Sequence, residues 1–199
     1  MYIQYVKVNN LKESILTSEL PTYKNLILNP NDHMVTDNDT KRAKKLAKVK
    51  TGTGHDCFLK GINVFMIITA PEYFWKQFER YSFQDTVSST STMHKIIDMP
   101  LHEVLGEDVY PALEEHLRYD IDAYKYWEKE NPERAKKIWK RIIANLPMGF
   151  QYTRAITTNY LQLKTMYFQR KNHKLDEWKN FCLFIEALPM FKELILDDE

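Results

Sequence analysis

Cysteine is scarce in this 199-residue sequence. Cys57 and Cys182 are the only two, too few for a disulfide framework and without the paired spacing of a zinc site. Glycine is nearly as rare, at five residues. Neither a Gly-x-Gly-x-x-Gly turn nor a P-loop occurs, so a glycine-rich phosphate cradle is excluded. Any phosphate this chain holds must be met by hydroxyls, backbone amides and arginines. An excess of one charge is also missing: 28 Lys and Arg against 27 Asp and Glu leave +1, which provides no global field toward nucleic acid or a membrane. The longest apolar run, Val64 to Ile68, is far short of the roughly 20 residues that cross a bilayer. No secretory leader is visible, so a cytoplasmic protein is expected. The six histidines show neither His-x-x-x-His nor His-Glu-x-x-His spacing, and no metal site is indicated.

What is present is apolar content of 44%, enough over this length for one domain, residues 1–199, with a proper core. The opening "MYIQYVKVNN" alternates imperfectly and reads as a strand, followed by a short helix over about 10–20. Leu28 to Asp39 is turn chemistry. "TKRAKKLAKVK", Thr40 to Lys50, reads as a helix capped near Asp39 or Thr40 that buries Ala43, Leu46 and Ala47 and turns its charges to water; a nucleic-acid surface is the less favoured reading of it. "INVFMIITA" is a β-branched strand handing over at Pro71 to the helix "PEYFWKQFER". Val109 to Lys129 and Pro132 to Asn145 form a helical hairpin broken at Asn131-Pro132, "GFQYTRAITTN" is a further strand, and helices follow over 159–169 and 175–188. Strands among mostly longer helices make the chain α+β. Trp75, Phe78, Tyr124, Trp127 and Trp139 offer more aromatic surface than a small core hides, which favours a subunit interface.

Three features carry chemistry. Thr86, Ser88, Ser89, Thr90, Ser91 and Thr92 crowd six hydroxyls just after Arg80, in a segment of poor helix propensity that reads as a loop, either solvated or gripping something polar. His55 follows the permissive "TGTG" and precedes Cys57 by two residues, with no third group to orient a nucleophile pair. Asn159 and Arg170, eleven residues apart, fall near three helical turns and share a face with Leu163 and Met166; that face suits either a nucleotide-sized ligand or the core.

The order "GHDCFLKGINVFMIITAPEYFWKQFER", then "LPMGFQYTRAITTNYLQLKTMYFQRKNHKLDEW", resembles the flavin-dependent thymidylate synthases, the ThyX family, over about sixty residues, and in element order over most of the chain. The resemblance implies a ThyX-like fold, a central and mostly antiparallel sheet flanked by long helices, assembled as a homotetramer with sites between subunits. It makes His55, Arg80 and Asn159 the FAD-binding residues. Gln77, Ser88, Ser89, Thr90, Ser91 and Arg170 become the substrate-binding residues, and Arg170 the group that polarises the pyrimidine. The implied reaction methylates dUMP to dTMP with FAD, methylenetetrahydrofolate and NADPH. Departures from the family pattern are Tyr81 and Ser82 in place of His-Arg, Lys60 in place of Glu, and Leu161 in place of Arg. Ser88, Thr90 and Thr92 replace Glu, Ser and Arg. The alternatives are a non-catalytic or repurposed nucleotide-binding homologue and, behind it, a nucleic-acid-binding accessory protein using Thr40 to Lys50.

Overall fold

Local chemistry sets most element ends. Asn131 accepts a hydrogen bond from the Arg134 backbone N–H at 3.0 Å and Pro132 takes the first helical position, so one helix stops at Glu130 and the next begins at once. The structure is a computed structural model describing residues 1–24, 33–50 and 52–196. In chain order its elements are β1 (Tyr2–Asn9), α1 (Leu11–Thr17), α2 (Asp37–Ala47), β2 (Asn63–Pro71), α3 (Glu72–Phe78), β3 (Gln84–Ser89) and α4 (Thr92–Lys95). There follow α5 (Leu101–Val104), α6 (Pro111–Glu130), α7 (Pro132–Ala144), β4 (Gln151–Asn159), α8 (Tyr160–Arg170), α9 (Asp176–Glu186) and α10 (Phe191–Ile195). Short 3-10 turns occupy Leu20–Thr22, Cys57–Gly61 and Ile96–Asp98. The strands form an antiparallel sheet in the order β1-β2-β4-β3, giving the α+β class expected.

Two compact units emerge from the contacts. One comprises Met1–Tyr2, Ile68–Phe78 and Ser88–Arg154. Its core is the α6–α7 hairpin: Leu117 and Ile121 on α6, and Ile138 and Ile142 on α7, repeat at four-residue spacing and meet Ile96, Leu101 and Phe150. Tyr124 and Trp127 pack partly buried against that cluster. Trp75 and Phe78 are wholly buried within the chain, so they are core residues and supply none of the aromatic surface expected of them. The Trp75 indole N–H donates to the carbonyls of Ala70 at 3.0 Å and Tyr152 at 3.1 Å, which leaves no unmet polar atom on that ring.

The other unit comprises Ile3–Ile67, Glu79–Val87 and Ala155–Glu199. Here α8 is the central helix. Leu163 and Met166 are fully buried, as are Trp178, Phe181 and Ile185 of α9 and Phe191 and Leu194 of α10. The 3-10 turn Cys57–Gly61 packs against α1 and α8, and a Cβ at Gly61 would fall 2.5 Å from the Ser14 hydroxyl, so glycine is needed for that approach.

Several expectations are corrected. The hydroxyl-rich stretch is no loop: Gln84–Ser89 is strand β3, and Thr92–Lys95 is a helical turn. Because β3 is the sheet edge and almost wholly exposed, it carries no apolar alternation to read in the sequence. The Thr90 backbone N–H continues the pairing, donating to the Thr153 carbonyl at 2.9 Å. Helix α2 starts three residues early, capped by Thr36, whose hydroxyl accepts from the Asp39 N–H while Asp39 receives the Thr36 N–H. Of the predicted turn at Leu28 to Asp39, residues 28–32 lie outside the described residues, as does Thr51 of "TGTG". Pro71 closes β2 and does not open a helix.

Candidate functional site

The site grows from the junction of β4 and α8. Asn159 is the residue before α8, not within it, and its Oδ1 accepts the Gln162 N–H at 3.0 Å. This cap sets the helix start, and with it the buried Gln162, whose Oε1 takes the Phe83 N–H at 3.2 Å. On the other side of Phe83, the Thr158 hydroxyl donates to its carbonyl at 2.8 Å. The backbone at Phe83 is therefore clasped at both polar groups, while its ring stays 64% exposed.

At the far end of α8, Arg170 is held by an aromatic cluster. Its Nε donates to the Tyr81 hydroxyl at 2.8 Å, and its guanidinium carbon lies 4.7 Å from the Trp178 ring centroid and 5.7 Å from that of Tyr81. The Tyr81 hydroxyl in turn donates to Gln169 Oε1 at 3.1 Å, and its ring meets Trp178 edge-on at 6.0 Å. Arg80 and Arg170, ninety positions apart in sequence, both line a cleft of about 500 Å³ together with Tyr81, Phe83, Leu161 and Gln162. Arg80 is exposed and has no hydrogen-bond or ion partner among the described residues. Two arginines, amides and an exposed ring among the lining residues suit an anion joined to a planar heterocycle.

The remaining expected residues stand elsewhere. His55 is exposed after Gly52 and Gly54, whose φ of +96° and +84° bear out the permissive backbone there, and it does not line the cleft. Asn159 does not line it either, but touches Gln162, which does. Gln77 is half-buried in the last turn of α3. Ser88 and Ser89 are exposed neighbours on β3, so they face opposite sides of the sheet. The Thr90 hydroxyl accepts the Thr153 N–H at 3.2 Å, and Ser91 precedes α4 without a side-chain cap bond. Cys182 is buried, which together with the Glu186 carboxylate pushes its thiol up to about 11 and leaves it unreactive at neutral pH. Among the described residues no group of three potential ligands could hold a metal, and no helix is long and apolar enough to cross a membrane. On the lysine-rich helix α2, Arg42 turns inward to Asp39 and Ser18 and does not face water as expected.

Sequence reasoning missed Tyr81, Trp178, Gln162 and above all Lys164. The Lys164 ammonium is buried and spends its three donors on the Ala47 carbonyl at 2.7 Å, the Val49 carbonyl at 2.8 Å and the Asp56 carboxylate at 2.8 Å. It thereby anchors the residue after His55 to α8. A lysine on an otherwise apolar helix face was the available signal, together with an aspartate beside a histidine.

His173 reports on the same cluster. Burial, then the nearby Arg170 charge, holds its pKa below the ordinary 6.5, and its Nδ1 accepts the Leu175 N–H at 3.1 Å, a bond that protonation at Nδ1 breaks. Since the folded pKa is the lower one, this group's contribution to stability is complete above about 6.5 and is lost as pH falls through the folded value. A proton NMR titration should give a His173 midpoint below that of an unstructured histidine peptide, and Arg170→Ala should raise it. A midpoint at or above the peptide value excludes this environment.

No protein-family model and no curated protein sequence matches the chain. Solved structures do. Flavin-dependent thymidylate synthase ThyX from Helicobacter pylori, complexed with FAD and dUMP, superposes with a TM-score of 0.70 at 11% identity, covering 98% of this chain and 100% of that one. A second structure of Helicobacter pylori ThyX with FAD and dUMP gives 0.69 at 12%, covering 100% and 98%. The UMP/dUMP methylase PolB from Streptomyces cacaoi, bound with 5-Br dUMP, gives 0.62 at 12%, covering 98% and 91%. This chain therefore has the fold of the flavin-dependent thymidylate synthases.

Proposed function

We propose that this chain binds a phosphorylated uridine nucleotide, dUMP by default, in the cleft of Arg80 and Arg170. Its proposed reaction is FAD-dependent methylation of that nucleotide to dTMP, with methylenetetrahydrofolate and NADPH as co-substrates. The observation that carries the reading is the meeting of these two distant arginines beside the exposed Phe83 ring, on a fold whose neighbours are complexed with dUMP. A nucleotide phosphate forms charge-assisted hydrogen bonds with a guanidinium, and the uracil ring has Phe83 as a stacking surface. Arg170, held against Trp178 and Tyr81, is placed to polarise an acceptor without first having to be ordered.

For FAD the donor chemistry fits. The exposed His55 ring, the Asn159 side-chain N–H₂, which has no partner among the described residues, and the Arg80 guanidinium all suit phosphate and carbonyl acceptors. These residues would hold it. FAD, when bound, supplies the redox chemistry and carries the one-carbon unit. The two arginines that the family pattern has and this chain lacks would each contribute about 1.5–3 kcal/mol, so FAD affinity is expected to be micromolar or weaker. Flavin fluorescence and the visible spectrum on titrating FAD into the purified protein measure this directly. A nanomolar complex would show that the departures at Ser82 and Leu161 do not matter.

A second reading, a nucleotide-binding homologue without catalysis, is favoured by one observation: His55 and Asn159 do not line the cleft that Arg80 and Arg170 share. Calorimetry with dUMP and with FAD separates the two. Binding of both supports the flavin enzyme, binding of dUMP alone supports the second reading, and binding of neither ends both. The homotetramer is part of the proposal, and light scattering that gives a monomer mass at micromolar protein would remove it.

A further inference from the structure

We infer that Gln162 reads the base of the bound nucleotide and sets a preference for uracil over cytosine; the inference rests on the nucleotide reading of the cleft. Gln162 is 6% exposed and, with Tyr81, is one of the two buried residues among those that line the cleft. Its side chain is held in one orientation. The Phe83 backbone N–H is a donor and needs an acceptor, so the amide atom that faces it at 3.2 Å is the oxygen, Oε1. Asn159 fixes the backbone from which this side chain springs, accepting the Gln162 N–H at 3.0 Å, and the Thr158 hydroxyl fixes Phe83 by its carbonyl at 2.8 Å. With Oε1 engaged, the amide N–H₂ is what remains. It has no hydrogen-bond partner among the described residues, where Gln84 Oε1 is the one side-chain polar atom both buried and unpartnered. The Gln162 amide nitrogen is therefore open to the cleft, with donors and no acceptor to offer.

Donors at the floor of a cleft, beside the exposed Phe83 ring, select a ring that turns an acceptor toward them. Because its oxygen is engaged, Gln162 cannot make the paired donor-and-acceptor contact that an amide otherwise forms with an imide edge. Of the two uracil carbonyls, the one at C2 sits beside the nitrogen that carries the sugar, whereas the one at C4 projects away from it. The C4 carbonyl thus reaches a buried side chain while the sugar and phosphate stay toward the exposed Arg80. Cytosine carries an amino group at that position. Two N–H₂ groups then face each other, and the Gln162 donors lose water without gaining a partner.

Calorimetry with dUMP and with dCMP on the wild type should give a preference for dUMP of roughly tenfold to a hundredfold, the cost of one buried donor left unmet. Gln162→Glu keeps an oxygen for the Phe83 N–H and replaces the N–H₂ by a second acceptor. The added charge weakens both nucleotides, so the ratio is the readout, and it should fall to about one or invert toward dCMP. Gln162→Met, of similar length and without donors, should also bring the ratio to about one. A second measurement needs no folded variant: with nitrogen-labelled glutamine, the Gln162 N–H₂ resonances should move on adding dUMP and exchange more slowly with water. Equal binding of dUMP and dCMP by the wild type, or a preference that persists in both variants, overturns the inference and leaves the nucleotide reading in place. Should the variants fail to fold, amide resonances unmoved by saturating dUMP overturn it equally. If the wild type binds neither nucleotide, the nucleotide reading itself falls and this inference with it.

Discussion

Replacing Lys164 by methionine is expected to lower the stability of this protein by about 3–5 kcal/mol, the usual cost of removing one partner from a buried ion pair. The pair is closed to water, with side-chain exposures of 4% for Lys164 and 2% for Asp56. Methionine fills most of the lysine stem's volume, so the loss is one of charge and hydrogen bonds and leaves no large cavity. It strands the Asp56 carboxylate and the carbonyls of Ala47 and Val49 together. For a chain of this size the melting temperature should fall by about 6–20 °C. Adding Asp56→Ala should restore part of the loss, since it removes the stranded charge. Denaturant melts of the wild type, the single variant and the double variant test this; a single variant within about 1 kcal/mol of wild type would show that water reaches the pair. If His55 holds FAD as proposed, Lys164→Met should also weaken FAD binding, because Asp56 follows His55.

Arg170→Ala is expected to weaken dUMP binding by roughly tenfold to a hundredfold, from the loss of about 1.5–3 kcal/mol of charge-assisted hydrogen bonding. Ser89 stands on β3 and does not line the cleft, so Ser89→Ala should leave dUMP affinity near the wild-type value. The structure adds a cost in stability. The guanidinium lies over Trp178 and close to Tyr81, contacts of about 0.5–2 kcal/mol that alanine forfeits. Both affinity and melting temperature should therefore fall in Arg170→Ala. Arg170→Lys separates them, keeping the charge but losing the planar contact and the bond to Tyr81. Calorimetry with dUMP beside thermal melts of these variants is the measurement. Unchanged affinity in Arg170→Ala would place the nucleotide elsewhere.

Much of the fold was legible because its signals are local. The Asn131-Pro132 break needs no distant partner, nor does the β-branched run of β2 or the four-residue spacing on α6 and α7. Where the signal is non-local the reading failed. β3 is an edge strand held by its neighbour β4, and an exposed edge carries no apolar alternation, so its hydroxyls looked like a loop. At the site, sequence spacing put Asn159 and Arg170 on one helix face. Asn159 instead caps the helix, and Arg170 depends on Tyr81 and Trp178.

By itself the sequence determined the α+β class, the positions of the longer helices and strands, the want of any glycine cradle, and hence the need for hydroxyls, backbone amides and arginines if phosphate is bound. Those follow from composition and short-range periodicity, which act within a few residues. Only the tertiary structure decided that Arg80 and Arg170 share a cleft, that Tyr81 takes the Arg170 Nε, and that a buried Lys164 ties Asp56 to α8. These placements join residues about ninety or more positions apart, and the bonds of Tyr81 to Arg170 and of Lys164 to Asp56 exist only once the chain has closed around them.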